Sequence, residues 1–376
     1  MASISSANCG AHIPSSDARG QKSGRDPGLD AFRGATVLLM VLVNLQGSGA
    51  DTFALLRHAP WHGSTLADLV FPWFILAVGL SVPLALDGRS DAGMWPLLRR
   101  AVVLAAIGVV LGWLIRPTLD PSDVRWVGVL QRIGIVYLAC ALIARSTRGP
   151  VTVAALALAC LVAHAAALLL VAAPGEAAPS LAMGEGASGW LDRALVPGRL
   201  YREAWDPEGA LSTLPAIGTG LIGLALMRWR RAGATAMHLL AAAIALVVVG
   251  LVASPILPLN KALWTGSYAV VAAGTGVVVW LALGWRAKSA EDGPVNWLLL
   301  LAGQTALTLY VLHMLLIAVL VRTVPGGGTL WSRSYDALAA TGLTPGLASL
   351  LFAVAASAVS LAPLSWLRRR GLLLRA

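Results

Sequence analysis

Four polar side chains near the start of this chain are of types that transfer protons or polarise carbonyl groups. His58 and His62 lie in a short polar connection between two apolar runs, residues 34–47 and 65–86. Asn44 lies late in the first run, and Asp68 lies early in the second. An amide and a carboxylate within apolar helices are costly in a membrane, which makes them functional candidates. The pattern therefore predicts a site between these two segments.

Each of these side chains has a chemical role that suits it. Imidazole transfers protons near neutral pH, so His58 is the candidate general base. Asp68 either caps its helix, because Thr65 and Asp68 have capping-box spacing, or orients the His58 imidazole. Asn44 either bridges two helices by a hydrogen bond or donates one to a carbonyl oxygen that develops charge. Both alternatives stay open for Asp68 and Asn44.

A metal site is not expected here. His58 and His62 are four residues apart, which would place both imidazoles on one helix face. Zinc needs at least a third protein ligand, and Pro60 and Gly63 argue against a regular helix in this connection. The three cysteines of the chain are too few and too scattered for a thiolate site or a disulfide framework.

Arginines form a second group of candidates. Arg132 is the one basic residue that is buried within a predicted span rather than at its end, and it either pairs with Asp68 or contacts an anionic ligand. Arg33, Arg99 and Arg100 lie at predicted helix ends, on the other side of the membrane from His58. Membrane topology alone favours basic residues there, and such a cluster could also bind phosphates.

The composition shows which elements must position these residues. Of the 376 residues, 57% are hydrophobic and 12% are charged, and the mean hydropathy is +0.76. A soluble domain cannot bury so much apolar surface, so a polytopic membrane protein in contact with the lipid bilayer is predicted. The net charge of +10 falls mainly in short loops. No basic face or nucleic-acid motif accompanies it, so nucleic acid is not an expected partner.

Ten apolar segments come close to spanning length. They cover residues 33–49, 65–86, 97–115, 126–144, 151–173, 209–228, 235–256, 262–285, 296–321 and 346–366. With the N-terminus in the cytoplasm, the cytoplasmic side holds twice as many basic residues as the other side, as the positive-inside rule requires. The sequence therefore predicts an all-α transmembrane bundle with about ten spans and both termini in the cytoplasm.

The domain organisation follows from these segments. Residues 1–28 are rich in Ser, Gly and Ala and lack the apolar core of a signal peptide, which predicts a disordered cytoplasmic tail. Residues 29–376 are then one transmembrane domain. The longest outer connection, residues 174–208, is either a solvated loop or a lid over an outward-facing site.

An ordered set of motifs resembles the heparan-alpha-glucosaminide N-acetyltransferase family and its bacterial relatives. The motifs are spread over most of the chain. They are Asp30-Ala-Phe-Arg-Gly34, Val43-Asn44, His58-Ala-Pro-Trp-His-Gly63, Ala67-Asp-Leu-Val-Phe-Pro-Trp73, Gly128-Val-Leu-Gln-Arg132, Asp206-Pro-Glu-Gly209 and Asn260-Lys-Ala-Leu-Trp264.

The resemblance implies a membrane-embedded acetyltransferase that moves an acetyl group from cytosolic acetyl-CoA to an amino sugar on the far side. The expected catalytic residues are His58, Asn44 and Asp68. The expected acetyl-CoA-binding residues are Arg33, Arg99, Arg100 and Arg132. The expected sugar-binding residues are Trp61, His62, Asn260, Lys261 and Trp264. His58 would either deprotonate the acceptor amine or carry the acetyl group itself, and a homodimer is left open.

Two departures from the family pattern bear on the acceptor. The chain lacks the lumenal N-terminal domain of the lysosomal enzyme, and His62 stands where that enzyme is expected to have Asn. We therefore expect a multi-pass protein of the bacterial inner membrane, acting on a periplasmic glucosamine-type sugar.

A secondary transporter of sugars or amino sugars is the alternative function. Polar groups near the membrane midplane, such as Asn44, Asp68 and Arg132, would suit a transporter site. No internal repeat is visible in the sequence to support it. Binding of CoA distinguishes the two functions.

Overall fold

The computed structural model describes residues 26–87, 93–289 and 293–374. Over these ranges the chain forms helices, and its only β contacts are isolated bridges. The helices, α1 to α14 in chain order, are Pro27–Asn44, Leu66–Leu86, Met94–Ile115, Val129–Ser146, Pro150–Leu170, Gly186–Leu195, Ala210–Arg231, Ala236–Ala253, Gly266–Ser289, Pro294–Gln304, Ala306–Leu320, Leu330–Ala339, Pro345–Leu361 and Leu364–Arg369. The predicted all-α class is confirmed.

The membrane-spanning character is also confirmed. Among the described residues, eight helical segments are long and apolar enough to cross a membrane, and the bent pair α10–α11 would make a ninth. The 18-residue helix α1 coincides with the remaining predicted segment. The protein is therefore a multi-pass membrane protein, in agreement with a bundle of about ten spans. Which side faces the cytoplasm stays a prediction.

The first helix begins earlier than predicted. Pro27 is its first residue, and Asp26 caps it by accepting hydrogen bonds from Gly28 N at 2.9 Å and Leu29 N at 3.2 Å. A capping Asp followed by Pro is a favourable helix start, which the polar composition of this stretch concealed. The predicted tail therefore extends two residues too far, and its residues 1–25 lie outside the described residues. The shift also places Asp30 within a buried part of α1.

The predicted span 296–321 is two helices rather than one. Helices α10 and α11 meet at Thr305 with a bend of 85°. Thr305 Oγ1 donates to the Leu301 carbonyl at 2.8 Å, so its hydroxyl is satisfied inside the break. The break brings Gln304 and Thr305 to the wall of a cavity, described below.

Glycines allow the central helices to approach closely. A Cβ on Gly79 of α2 would lie 1.8 Å from the Gly220 carbonyl oxygen of α7, and one on Gly34 of α1 would lie 1.9 Å from the Leu299 carbonyl oxygen of α10. Small residues are the usual basis of such helix contacts in membranes. The α1–α2 pair that carries the site is therefore fixed between α7 and α10.

We expect Gly79→Ala to destabilise the protein by about 1–3 kcal/mol, because the added methyl group must push α2 away from α7. The measurement is the apparent melting temperature of the purified protein in detergent. Gly112→Ala is the matched control, because a Cβ at Gly112 of α3 meets no atom within 4 Å. A melting temperature for Gly79→Ala equal to that of Gly112→Ala would contradict the close packing.

Candidate active site

The Asp68 carboxylate joins the polar connection to the start of α2. Its Oδ1 lies 2.8 Å from His58 Nδ1, and its Oδ2 accepts from Ala59 N at 3.0 Å, Thr65 N at 3.0 Å and Thr65 Oγ1 at 3.1 Å. Thr65 and Asp68 form the capping box that their spacing indicated. The two interpretations of Asp68 therefore hold together, because one carboxylate both caps the helix and contacts the imidazole.

This contact determines which nitrogen of His58 is free for chemistry. Because ionised Asp68 only accepts hydrogen bonds, Nδ1 of His58 is the donor. Nε2 then keeps its lone pair in the neutral ring, as a general base or nucleophile requires. The His58 side chain is 48% exposed and the Asp68 side chain 2%. The imidazole is thus accessible while the group that orients it is buried.

A proline and a tyrosine fix the first turn of α2. Pro72 has no N–H, so the carbonyl of Asp68, four residues earlier, lacks its helical donor. Tyr268 of α9 replaces it, because its hydroxyl donates to the Asp68 carbonyl at 2.6 Å. Tyr268 is fully buried. Helix α9 therefore fixes the backbone of the residue that orients His58.

Lys261 approaches the same imidazole from the α8–α9 connection. Its Nζ lies 3.2 Å from His58 Nδ1, 3.4 Å from His58 Nε2 and 3.6 Å from Asp68 Oδ1. Burial lowers the pKa of Lys261, while the carboxylates of Asp68 and Glu208 oppose this shift. An amine thus lies directly beside the candidate base.

A cavity of about 70 Å³, which we call the outer cavity, opens at His58. Its polar lining residues are Asn44, His58, Glu208 and Lys261. The others are Met40, Val43, Ala67, Val70, Phe71 and Val129. The arrangement places a base, an amide donor, a carboxylate and an amine around one small, mostly apolar space.

The Asn44 side-chain amide contacts a buried histidine of α11. Asn44 Nδ2 lies 3.3 Å from His313 Nε2, and His313 is fully buried. The interhelical hydrogen bond predicted for Asn44 is therefore present, and Asn44 also lines the outer cavity. His313 is therefore the partner that orients this amide.

Two arginines anchor the segment that carries Glu208. Arg125 Nη2 lies 2.5 Å from both Glu208 Oε2 and Asp206 Oδ1, and its Nε donates to Asp206 Oδ2 at 2.8 Å. Arg132 donates to the carbonyls of Pro207 at 2.9 Å and Gly209 at 3.1 Å. The peptide on each side of Glu208 is therefore fixed against α4 and the loop before it.

These contacts correct both sequence interpretations of Arg132. The side chain is 1% exposed, lies over the ring of Trp264 with 5.1 Å to its centroid, and lines neither described cavity. Asp68 instead pairs with His58 and Lys261. Arg132 stabilises the start of α7 because its Nη1 and Nη2 donate to backbone carbonyls there, although its buried Nε has no hydrogen-bond partner.

A larger cavity of about 400 Å³, the inner cavity, lies at the other end of α1. Arg33 and Arg100 line it, together with Asp30 and Tyr137. The guanidinium of Arg100 lies 4.5 Å from the centre of the Tyr137 ring, and its buried Nε has no hydrogen-bond partner. These features suit an anionic ligand. Arg99, predicted to act with them, is exposed and does not line this cavity.

Met40 lines both cavities. The inner cavity contacts α1 from Leu29 to Met40 and the outer cavity contacts it from Met40 to Asn44. At 1.5 Å per residue, these two stretches are about 16 Å and about 6 Å long. A single side chain therefore borders both the arginine-lined space and the His58-lined space.

The predicted sugar-binding residues are divided by the structure. Trp264 is fully buried, donates from Nε1 to Thr219 Oγ1 at 3.1 Å and packs edge-on against Phe71, so it is a core residue without a free ring face. Asn260 is also fully buried; its Oδ1 accepts from Leu263 N at 2.8 Å. Neither side chain has exposed surface that a sugar could contact, because surrounding residues of the protein cover both.

Of the other three, Lys261 lines the outer cavity, and His62 and Trp61 lie outside it. His62 is exposed, with its Nδ1 3.3 Å from Asn260 Nδ2. Trp61 donates to the Leu181 carbonyl at 2.9 Å and packs edge-on against Trp205 at 5.0 Å. Both contacts of Trp61 are with the outer segment 174–208, which contains the short helix α6. His62 and Trp61 stay predicted sugar contacts, and neither lines the outer cavity.

Glu208, Met40 and His313 line or support the cavities, yet none was singled out as a site residue from the sequence. Glu208 belongs to a quoted motif, and its place directly before α7 was the available signal. Met40 is one apolar residue among many, and His313 looks like a core histidine. Only the packing of α1 against α11 and the α7 start brings these three to one place.

Comparison with known proteins locates the similarity in the first half of the chain. Residues 25–183 match the family model described as "Heparan-alpha-glucosaminide N-acetyltransferase, catalytic". The proteins named heparan-alpha-glucosaminide N-acetyltransferase from Mus musculus and Homo sapiens are each 35% identical to this chain over 124 residues. The alignments cover 31% of this chain and only 18% of each relative.

The matched residues 25–183 include His58, Asn44 and Asp68, together with the arginine-lined part of the inner cavity. Glu208 and Lys261 lie beyond them. The resemblance seen in the motifs is confirmed over residues 25–183, which are similar to the catalytic part of the heparan-alpha-glucosaminide N-acetyltransferase family.

Proposed function

We propose that this protein transfers an acetyl group from acetyl-CoA, bound on the cytoplasmic side of a bacterial inner membrane, to the amine of a glucosamine-type sugar on the periplasmic side. The observation that carries the proposal is that Met40 borders two different cavities. One is lined by arginines that suit the CoA phosphates, and the other contains the His58–Asp68 pair. The names of the relatives support the reaction class.

The inner cavity has the chemistry needed to bind CoA. Arg33 and Arg100 would contact the phosphates, since guanidinium groups form strong, charge-assisted hydrogen bonds with phosphate. The apolar walls along α1 would contact the pantetheine arm. Met40 lies about 10 Å beyond Arg33 along the helix axis, at 1.5 Å per residue. A thioester that passes Met40 would reach the space between Asn44 and His58.

Within the outer cavity the residues divide the work of acyl transfer. His58 Nε2 would take a proton from the acceptor amine while the nitrogen of that amine attacks the thioester carbonyl. Asp68 would stabilise the imidazolium that forms, since its carboxylate already contacts Nδ1. The Asn44 amide, oriented by His313, would donate to the oxygen that gains negative charge. The same geometry also permits His58 to carry the acetyl group between two half-reactions.

Glu208 gives the outer cavity a preference for amines. One of its oxygens is occupied by Arg125, and Oε1 has no hydrogen-bond partner among the described residues. A carboxylate oxygen at the cavity wall attracts the ammonium form of an amino sugar and holds it beside His58. A neutral hydroxyl in the same place gains much less.

His58→Ala is the direct test of this function. We expect acetyl transfer from acetyl-CoA to glucosamine to fall by roughly 10²–10⁴-fold, because the variant lacks the proton acceptor. The assay follows radiolabelled acetyl groups with purified protein in detergent, alongside CoA binding. CoA binding should persist, since His58 lies outside the inner cavity. Wild-type protein that neither binds CoA nor acetylates any amine, yet moves sugars unchanged across vesicles, would be a transporter instead.

Two adjacent arginines test the inner cavity. We expect Arg100→Ala to weaken CoA binding by roughly 10- to 100-fold, because a charge-assisted hydrogen bond contributes about 1.5–3 kcal/mol. Arg99→Ala is the matched control, since it removes the same charge from the same helix and Arg99 does not line the cavity. Calorimetric titration with CoA measures both. Equal losses for the two variants would indicate a general charge effect and contradict the assignment.

Glu208→Gln tests the acceptor side. We expect KM for glucosamine to rise by roughly tenfold or more, because an ammonium loses its charged partner, while CoA affinity stays the same. Arg125 keeps its two contacts with Asp206, so the segment remains anchored. Glu203→Gln is the control, as Glu203 is an exposed carboxylate of the same segment. An unchanged KM for Glu208→Gln would remove Glu208 from acceptor binding.

A further inference from the structure

Lys261 occupies the place beside His58 where an acceptor amine would have to lie. Its Nζ is 3.4 Å from His58 Nε2, the nitrogen that is free to take a proton. It also lines the outer cavity together with Asn44. A primary amine, a base and an amide donor therefore surround one space, as in the proposed transfer to a sugar.

We propose that Lys261 is an internal acetyl acceptor, so that without a sugar the enzyme acetylates its own Lys261. This inference rests on the proposed function, because it needs acetyl-CoA as the donor. The neutral Nζ attacks the thioester carbonyl, a C–N bond forms and the C–S bond breaks. The proton released from Nζ passes to His58, and the sulfur leaves with the electron pair and is protonated to give CoA thiol. The product is an amide.

Two opposing effects set the rate of this reaction. Asp68 Oδ1 lies 3.6 Å from Nζ and favours the ammonium form, which cannot attack. Burial acts in the other direction and lowers the pKa of Lys261, which increases the neutral fraction. Since the side chain is 23% exposed, the field of these partners is partly screened. Self-acetylation should therefore be slower than transfer to a bound sugar, but faster than acetylation of a lysine in solvent.

The modification would change the site in a defined way. An acetylated Lys261 loses its positive charge, so Asp68 and Glu208 lose a cationic neighbour. The added acetyl group would also occupy part of a cavity of only about 70 Å³. The lost volume opposes entry of the next acceptor. An enzyme supplied with acetyl-CoA alone would thus lose activity with time, and a sugar in the cavity would protect it.

The sequence makes this inference easy to test, because the chain has only three lysines: Lys22, Lys261 and Lys288. Purified full-length protein is incubated with deuterated acetyl-CoA without sugar, digested with chymotrypsin and analysed by mass spectrometry. The isotope separates new acetyl groups from those acquired in the cell. We expect Lys261 to be labelled at least roughly tenfold faster than the other two lysines, because proximity makes its reaction intramolecular.

Two variants separate a site-directed reaction from background chemistry. In His58→Ala, labelling of Lys261 should fall to the level of Lys22 and Lys288. In Lys261→Arg, transfer to glucosamine should no longer decline during incubation with acetyl-CoA, measured against the starting rate of that variant. Glucosamine present from the start should suppress labelling of wild-type Lys261.

The outcomes also distinguish this inference from the proposed function. If glucosamine is acetylated while Lys261 is labelled no faster than the other lysines, or is labelled equally in His58→Ala, the inference is wrong and the function stands. If the protein neither binds CoA nor acetylates an amine, the proposed function is wrong and the inference fails with it. Labelling of Lys261 that depends on His58 and is suppressed by glucosamine supports both.

Discussion

The buried carboxylate of Asp68 is the interaction on which the outer half of this structure depends. Asp68 lies in the first turn of α2 and accepts hydrogen bonds from the backbone amides of Ala59 and Thr65 in the polar connection. The same carboxylate orients His58. A buried carboxylate needs such partners, because an unpaired charge in a low-dielectric environment costs several kcal/mol. The connection therefore cannot move freely without leaving Asp68 unsatisfied. His58 is presented on a loop, yet its position is set by the end of a transmembrane helix.

The second constraint is that α1 serves as a common wall for two spaces of opposite character. Arg33 faces the inner cavity and Asn44 the outer cavity, with Met40 at the junction. A donor with charged phosphates and a small reactive thioester fits this division, because each end meets the environment that its chemistry requires. A transporter site would need one ligand to be released on both sides. The separate linings of the two cavities along α1 suit a donor that binds on one side and passes only a small group onward.

The sequence predicted much of this arrangement, and its errors have physical causes. Ten apolar segments indicated the bundle, and the capping-box spacing indicated the start of α2, because both signals are local. The α10–α11 break at Thr305 was missed, since no proline or glycine run marks it. Trp264 and Arg132 were predicted to contact ligands because residues of these types often do. Instead, the Arg132 guanidinium lies over the Trp264 ring and donates to the Pro207 carbonyl just before α7. Met40 and Glu208 depend on contacts between distant segments, which no local pattern encodes.

The division of the chain at residue 183 has a consequence for specificity. The residues similar to known acetyltransferases contain His58, Asp68 and Asn44, the proposed base, its carboxylate and the amide donor. Glu208 and Lys261, which place a negative and a positive charge at the outer cavity, come from later segments that lie outside the match. Under the proposed function, the chemistry and the choice of acceptor would be contributed by different parts of the chain. Acetyl transfer would then be retained while the acceptor changes, because substitutions around Glu208 need not disturb the Asp68–His58 contact. The charges of Glu208 and Lys261, rather than the His58–Asp68 pair, would determine the acceptor.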